Sequence, residues 1–214
     1  AALYKYGEAQ SAKLPLPPGS WGYDAGLEEK IPGYDPEDAK ALLAEAGYGG
    51  GLTLDLYISD TEVRQNMAVL VQAYWAQVGV TLNIHANEWG TFSEVAMSNN
   101  ADVFGMSWTW YPDPYFFLNK LFATEEFGGI GNGQHYSRAE VDELLQKALE
   151  ATDQNDRADY YKQALAIITD DLPGLFYANE NVIYGVSGRV HDFIQRSDGT
   201  VKIVTPENNV WLSE

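Results

Sequence analysis

The sequence predicts an α/β fold, a mixed sheet flanked by helices. Two observations carry this. Between residues 52 and 108 strand-like and helix-like patterns succeed one another as strand, helix, strand, helix, strand, the order of a sheet covered by helices. A hydrophobic share of 45% and an aromatic share of 13% over 214 residues supply one good core or two small ones.

Residues 1–34 hold four of the nine prolines, and Leu, Trp and Tyr are interleaved with the turn residues, so this stretch reads as ordered irregular chain rather than flexible linker. Asp35-Pro36-Glu37-Asp38 then opens a helix: Asp35 can cap free N–H groups, Pro36 suits the first helical position, and Asp38 favours the positive end of the dipole. Ala39, Leu42, Leu43 and Ala46 recur at helical spacing and Gly47 ends it. Leu52, Leu54, Leu56 and Ile58 alternate with polar neighbours and predict a strand. The next helix spans about residues 61–78, with Met67, Leu70, Val71, Tyr74, Trp75 and Val78 as its expected buried stripe and Gly79 as its stop. Val80, Leu82 and Ile84 form the second strand, residues 89–97 a helix, and Val103-Phe104-Gly105-Met106-Ser107-Trp108 the third strand.

Asp113, between two prolines, reads as the turn or cap residue that starts a short helix over residues 115–122. Two long helices follow. Ser137 is the expected cap of the first, with Glu140 completing a capping box, and Asp153 or Asn155 starts the second, which ends before Leu172-Pro173. The remainder turns to strands, expected at Leu175-Phe176-Tyr177, Val182-Ile183-Tyr184 and Val201-Lys202-Ile203-Val204. The composition shift near Ala178 divides residues 1–178 from a C-terminal strand region, 179–214.

Several functions are disfavoured at once. With 31 acidic and 13 basic residues, the formal net charge of −18 repels phosphate backbones and anionic lipid surfaces, so nucleic acid is not an expected partner. No apolar run approaches the roughly 20 residues of a membrane-spanning helix, and no signal-peptide core opens the chain. Opening on Ala1, it reads as an excised or mature piece. The absence of cysteine excludes disulfides and thiolate chemistry. His85, His135 and His191 are far apart and form no ligand-spaced pair, so neither metal nor cofactor is expected. Gly128-Gly129-Ile130-Gly131-Asn132-Gly133 follows no strand and lacks the lysine of a phosphate-binding loop. It reads instead as a mobile loop that brings Asn132 near a ligand.

Taken together, Pro15-Leu16-Pro17-Pro18 with Trp21-Gly22-Tyr23, the run from Tyr34-Asp35-Pro36 to Ala46-Gly47-Tyr48, Trp75-Ala76-Gln77-Val78-Gly79-Val80, Tyr111-Pro112-Asp113-Pro114, and Arg157-Ala158-Asp159-Tyr160-Tyr161 ahead of Asp171-Leu172-Pro173 resemble the dipeptide- and oligopeptide-binding family of extracytoplasmic solute-binding proteins. Each motif is weak alone, and their shared order and spacing make the match. The resemblance implies lobe two of a periplasmic-binding-protein-like, two-lobed fold, with residues 179–214 returning toward a lobe one that lies outside this chain. It implies a binding protein rather than an enzyme, capturing a peptide, oligosaccharide or similar small solute for the permease subunits of an ABC transporter. It also implies an extracytoplasmic location, periplasmic or as a cell-surface lipoprotein whose anchor lies outside this chain. A lobe alone shows half of a cleft, so weak or absent ligand binding by this chain is expected. A secreted glycoside hydrolase or peptidase-like enzyme is the competing class, and it would need paired carboxylates across a cleft.

In peptide-binding members the segment Trp-x-x-Asp-x-x-Asp/Glu-Pro sets an aspartate against the ligand's α-amino group, a bond worth about 1.5–3 kcal/mol. Counting back from Pro114, Trp110 occupies that position here, with the leading tryptophan displaced by one residue. An indole offers an ammonium only a cation–π contact of about 0.5–2 kcal/mol. Trp108, Trp110 and Tyr111 instead offer aromatic faces at the end of a strand, where open α/β sheets present their ligand crevice. Because strand residues alternate, Trp108 and Trp110 share one face and Tyr111 takes the other. Trp89, after Asn87-Glu88, lines the crevice edge or staples its own helix. The candidate ligand-binding set is therefore Trp89, Trp108, Trp110, Tyr111 and Asn132.

Overall fold

The computed structural model describes residues 9–108, 113–128, 131–195, 204–205 and 208–213. Its centre is a three-stranded parallel sheet of β2 (Leu52–Ser59), β3 (Val80–Asn87) and β4 (Val103–Gly105), in the order β3-β2-β4. Leu52 lies opposite Val80 and Ile58 opposite Gly105. Two helices make the crossovers, α2 (Glu62–Ala76) from β2 to β3 and α3 (Trp89–Met97) from β3 to β4.

The strand period of two assigns the faces. Leu56, Ile58, Val80 and Leu82 pack with Ala68 of α2, while Tyr57, Phe104 and Met106 pack with Phe92, Ala96 and Met97 of α3. The two crossover helices therefore cover opposite faces of the sheet.

Ahead of the sheet, α1 (Pro36–Glu45) starts as expected, with the Asp35 carboxylate accepting from Glu37 N and Asp38 N, yet it buries no residue. A second body forms from α4 (Tyr115–Phe122), α5 (Ala139–Glu150) and α6 (Gln154–Asp171), with Leu14, Leu16 and Leu27 closing a core around Phe122, Leu145, Tyr161 and Leu165. A short antiparallel pair joins β1 (Ala9–Ser11) to β5 (Ala178–Glu180), so the described chain enters and leaves this body side by side. Beyond it, β6 (Val190–His191) pairs with β9 (Trp211–Leu212), and β7 (Val204–Thr205) with β8 (Asn208–Asn209).

Several local expectations are corrected. The stripe of α2 runs through Met67, Ala68, Val71 and Trp75, with Val78 continuing it in the turn beyond, while Leu70 and Tyr74 are exposed, Tyr74 meeting Tyr34 edge to face. Nearly every face of this helix carries an apolar residue, so periodicity cannot select the inner one. Ser137 does not cap α5: Arg138 holds the cap position without a side-chain bond, and the Ser137 hydroxyl pairs with that of Thr124. Asp153, not Asn155, caps α6, accepting from Asn155 N and Asp156 N. The third strand ends at Gly105, leaving Met106, Ser107 and Trp108 beyond it. Leu175-Phe176-Tyr177 and Val182-Ile183-Tyr184 are not strands; pairing falls on Ala178–Glu180, where β1 offers a partner edge. Residues 201–203 of the last expected strand lie outside the described residues.

Candidate functional site

Parallel strands put all their carboxyl ends on one edge, here Ser59, Asn87 and Gly105. Because α2 and α3 leave that edge toward opposite faces, the direction of crossover reverses between β2 and β4. In open α/β sheets a crevice opens outside the strand ends at such a switch point.

Trp89 stands at this edge as the first residue of α3. It is 51% exposed, its ring tilted against Phe92 at 5.7 Å. Glu88 fixes the turn beneath it, one carboxylate oxygen accepting from Thr91 N at 2.5 Å and the other from Gly90 N at 2.8 Å. These two backbone donors, Thr91 N–H the stronger, hold the Glu88 carboxyl below its ordinary range.

Trp108, three residues beyond β4, is half-buried against the helical core. Its indole N–H donates to the Phe116 carbonyl at 2.8 Å, which ties the strand exit to the first turn of α4. Asp113 behaves as expected of a cap, its carboxylate accepting from Tyr115 N at 2.9 Å. The same carboxylate meets Arg157 Nη2 at 3.2 and 3.4 Å. Arg157 also donates from Nε to the Ala148 carbonyl at 3.0 Å and lies 4.8 Å over the Trp21 ring. A guanidinium stacked, ion-paired and bonded to backbone together is a rigid post, and it pins the start of α4. Trp110 and Tyr111 lie outside the described residues.

Asn132 is elsewhere, and its expected ligand contact is corrected. It is fully buried; its amide N–H groups donate to the carbonyls of Ala123 (3.0 Å) and Tyr136 (2.7 Å), and its oxygen accepts from Tyr136 N (2.9 Å). The glycines around it serve close packing: a Cβ on Gly131 would strike the Lys120 carbonyl, and one on Gly133 the Ala96 carbonyl. Ala96 lies in the last turn of α3, toward the amino ends of the strands, so this loop sits away from the crevice edge.

Among the described residues no cluster of three or more His, Asp or Glu could hold a metal. His85 is used on the sheet face, where its Nε2 meets Asp55 at 2.9 Å and its ring stacks on Tyr57 at 4.7 Å.

Sequence reasoning missed Ser59 and Arg64. Ser59 is 7% exposed at the end of β2, and Arg64 Nη1 donates to its hydroxyl at 2.8 Å. One signal was available: Arg64 is the sole Lys or Arg between Lys40 and Lys120.

Comparison with known proteins adds a consistent picture. Residues 1–129 match the middle section of the bacterial extracellular solute-binding proteins, family 5. The chain is 35% identical over 205 residues to the heme-binding protein A of Haemophilus influenzae, covering 92% of this chain and 37% of that protein. It is 34% identical over 199 residues to the dipeptide-binding protein of Escherichia coli, covering 90% and 37%. It thus spans little more than a third of either relative. Among solved structures, a dipeptide-binding protein of Pseudoalteromonas in complex with Met-Leu superposes with a TM-score of 0.78 at 30% identity, over 97% of this chain and 41% of that one.

Proposed function

The chain belongs to family 5 of the bacterial extracellular solute-binding proteins, and from that membership we propose that it is the second lobe of a receptor that captures a small solute for an ABC importer. The family is one of binding proteins, not enzymes. The observation that carries the proposal is the carboxyl edge of the β3-β2-β4 sheet, where the crossover reverses and where Trp89 is exposed at the start of α3. An edge of this kind buries a solute only when a second surface closes over it.

That second surface belongs to the remainder of a longer protein. The pairing of Ala9–Ser11 with Ala178–Glu180 supports a boundary near residue 178, because two adjacent strands crossing between lobes are what a hinge needs. Residues 179–214 then return to the other lobe. The solute is a peptide or another small molecule that aromatic faces can hold, and the partners are the permease subunits of the importer. The protein works outside the cytoplasm, free in a periplasm or tethered by a lipid.

Native mass spectrometry of the full-length protein tests this. A bound solute that leaves on denaturation is expected, together with a melting temperature that rises when that solute is added back, since a ligand that binds only the folded state stabilises it. A protein that retains nothing, and that no peptide or sugar stabilises, is not a solute receptor.

A further inference from the structure

We propose that the outer edge of β3 and the adjoining flank of α2 form a self-pairing surface, through which two copies of the protein join their sheets edge to edge. Residues 65–87, most of α2 and all of β3, hold no Asp, Glu, Lys or Arg, the longest such run in a chain of which 21% is charged. A helix that covers a sheet ordinarily turns charged residues to water. Past Arg64, the exposed side of α2 carries Asn66, Val69, Ala73 and Ala76 instead. At a net charge of −18 two copies repel each other over most of their surface, and on this side they can meet without placing acid against acid.

The edge supplies the bonds. In the order β3-β2-β4, β3 is a border strand that pairs with β2 alone among the described residues. Its odd-numbered residues face β2: Leu52 N donates to the Gly79 carbonyl and Asp60 N to the Asn87 carbonyl. Val80, Leu82, Ile84 and Ala86 therefore turn their N–H and C=O groups outward. Among the described residues only the Leu82 carbonyl is met, by Gln72 Nε2 at 2.6 Å. Exposed edges are ordinarily blunted by a charge, a proline or a bulge, and β3, in unbroken register with β2, has none of these. A two-fold axis normal to the sheet at Asn83 sets Val80 against Ala86 and Leu82 against Ile84, so every outward group meets its counterpart and Asn83 faces its own copy. The same axis brings α2 beside its twin. Gln72 marks the flank of α2 nearest this edge, as Met67 against Gly105 marks the flank toward β4. Gln65, Val69 and Ala76 share the Gln72 flank by helical spacing, and Val69 is 58% exposed. Ala68 packs with Leu56 of β2 and Leu82 of β3, so α2 lies over both strands. Two such helices stand about two strand spacings apart, roughly 9.6 Å, which is the contact distance of packed helices. The surface runs along the side of the sheet and not across its carboxyl ends, so pairing leaves the crevice of each copy open.

Sedimentation velocity of the full-length protein tests this. Monomer should give way to dimer between about 1 and about 100 μM. Val69→Glu sets like charges face to face beside the axis, and Ala86→Pro removes an outward N–H where an edge strand tolerates proline. Each should raise the dissociation constant at least about 10-fold, with the melting temperature of the dilute monomer unchanged. Asn83→Cys reads the register. Facing residues of a non-hydrogen-bonded antiparallel pair stand about 4.5 Å apart at Cα, within disulfide reach. Mild oxidation should therefore link two copies through position 83, found as a self-linked peptide by mass spectrometry, whereas Thr81→Cys, set opposite His85, should not link. A protein that stays monomeric throughout the range overturns the proposal and leaves the edge to a strand of a different chain. A dimer that neither Val69→Glu nor Ala86→Pro weakens, or one that Thr81→Cys links in preference to Asn83→Cys, overturns it as well.

Discussion

Asn132 and Arg157 show how a polar side chain in a binding protein can be spent on architecture. Asn132 satisfies three backbone groups of its own loop, and each buried polar group left without a partner costs roughly 1–3 kcal/mol. Asn132→Ala should therefore lower the urea midpoint by the equivalent of at least about 2 kcal/mol, with the denaturant slope unchanged and the solute affinity of the refolded protein unaltered. An affinity loss at unchanged stability would return Asn132 to the crevice. The sequence pointed to Asn132 because glycine-rich runs often lie near ligands, but Gly131 and Gly133 are small so that the loop can press on the carbonyls of Lys120 and Ala96. Arg64 escaped notice for the opposite reason. Nothing in its neighbours Val63 and Gln65 marks it, and its bond to Ser59 appears only when the end of β2 brings that hydroxyl within reach.

At the scale of elements, the caps Asp35, Asp153 and Asp113 were legible because they are local chemistry, each within three residues of the N–H groups it satisfies, while Ser137 has the right residue type but turns its hydroxyl to Thr124 instead. Leu172 likewise ends α6 in a left-handed conformation just before Pro173. The succession of three strands and two crossover helices along the chain followed from period and punctuation, whereas their parallel pairing in the order β3-β2-β4 is read from the structure. What the pattern could not fix was rotation. In α2 the inner face contains Ala68, too small to draw attention beside Leu70 and Tyr74, and it is the thinness of alanine that lets the helix approach Leu56 and Leu82. Ala68→Leu should cost about 1–3 kcal/mol through overpacking, whereas Val69→Thr, one position round on the exposed face, should stay within about 0.5 kcal/mol. Thermal unfolding of the pair distinguishes the faces, and a neutral Ala68→Leu would place the stripe where the periodicity first suggested. The C-terminal strands were the least legible elements: Leu175-Phe176-Tyr177 has strand composition, yet beyond a bond from Ala12 N to the Tyr177 carbonyl the ladder with β1 forms on Ala178–Glu180, and a strand is defined by the neighbour it pairs with.

At the scale of the whole molecule, the charge of −18 and the carboxylates held by specific donors act in opposite directions on acidification. Relief of self-repulsion stabilises the fold as pH falls toward about 5. Asp24, Asp55 and Glu88 titrate below their ordinary range in the folded protein, Asp24 chiefly through Lys162, Asp55 through His85 and then Asn83, and Glu88 through Thr91 N–H. Their contribution is complete above the unfolded carboxylate range near about 4 and disappears as pH drops through the lower folded values. The urea midpoint should thus peak near about pH 5 and fall below about pH 4, and Asp55→Asn should make that fall shallower; a midpoint still rising at pH 3 would contradict it. At the alkaline end burial pushes the Tyr161 hydroxyl up to about 12, so its contribution is present below about 10 and is lost as pH rises through that folded value. Separately, the exposed apolar surface is unevenly placed. Tyr34 ahead of α1 and Leu42 on it are exposed singly, whereas Leu175 at 72%, Ile183 at 66% and Leu212 at 67% lie together with Val182, Tyr184 and Val186 beyond the end of α6. Apolar side chains left in water on a region with few buried contacts mark a surface that another body covers, and such a region opens locally at low cost. Limited digestion of the 214-residue chain with chymotrypsin should therefore cut first between residues 172 and 213 and leave a resistant core that contains α2 to α6. On the proposed two-lobe reading the other lobe would pack on Leu175, Ile183 and Leu212, and in the full-length protein the same bonds should then resist. First cuts within α1 or α2, or equal sensitivity in both proteins, would mean that this surface faces water in the working molecule and that the chain does not return across the hinge.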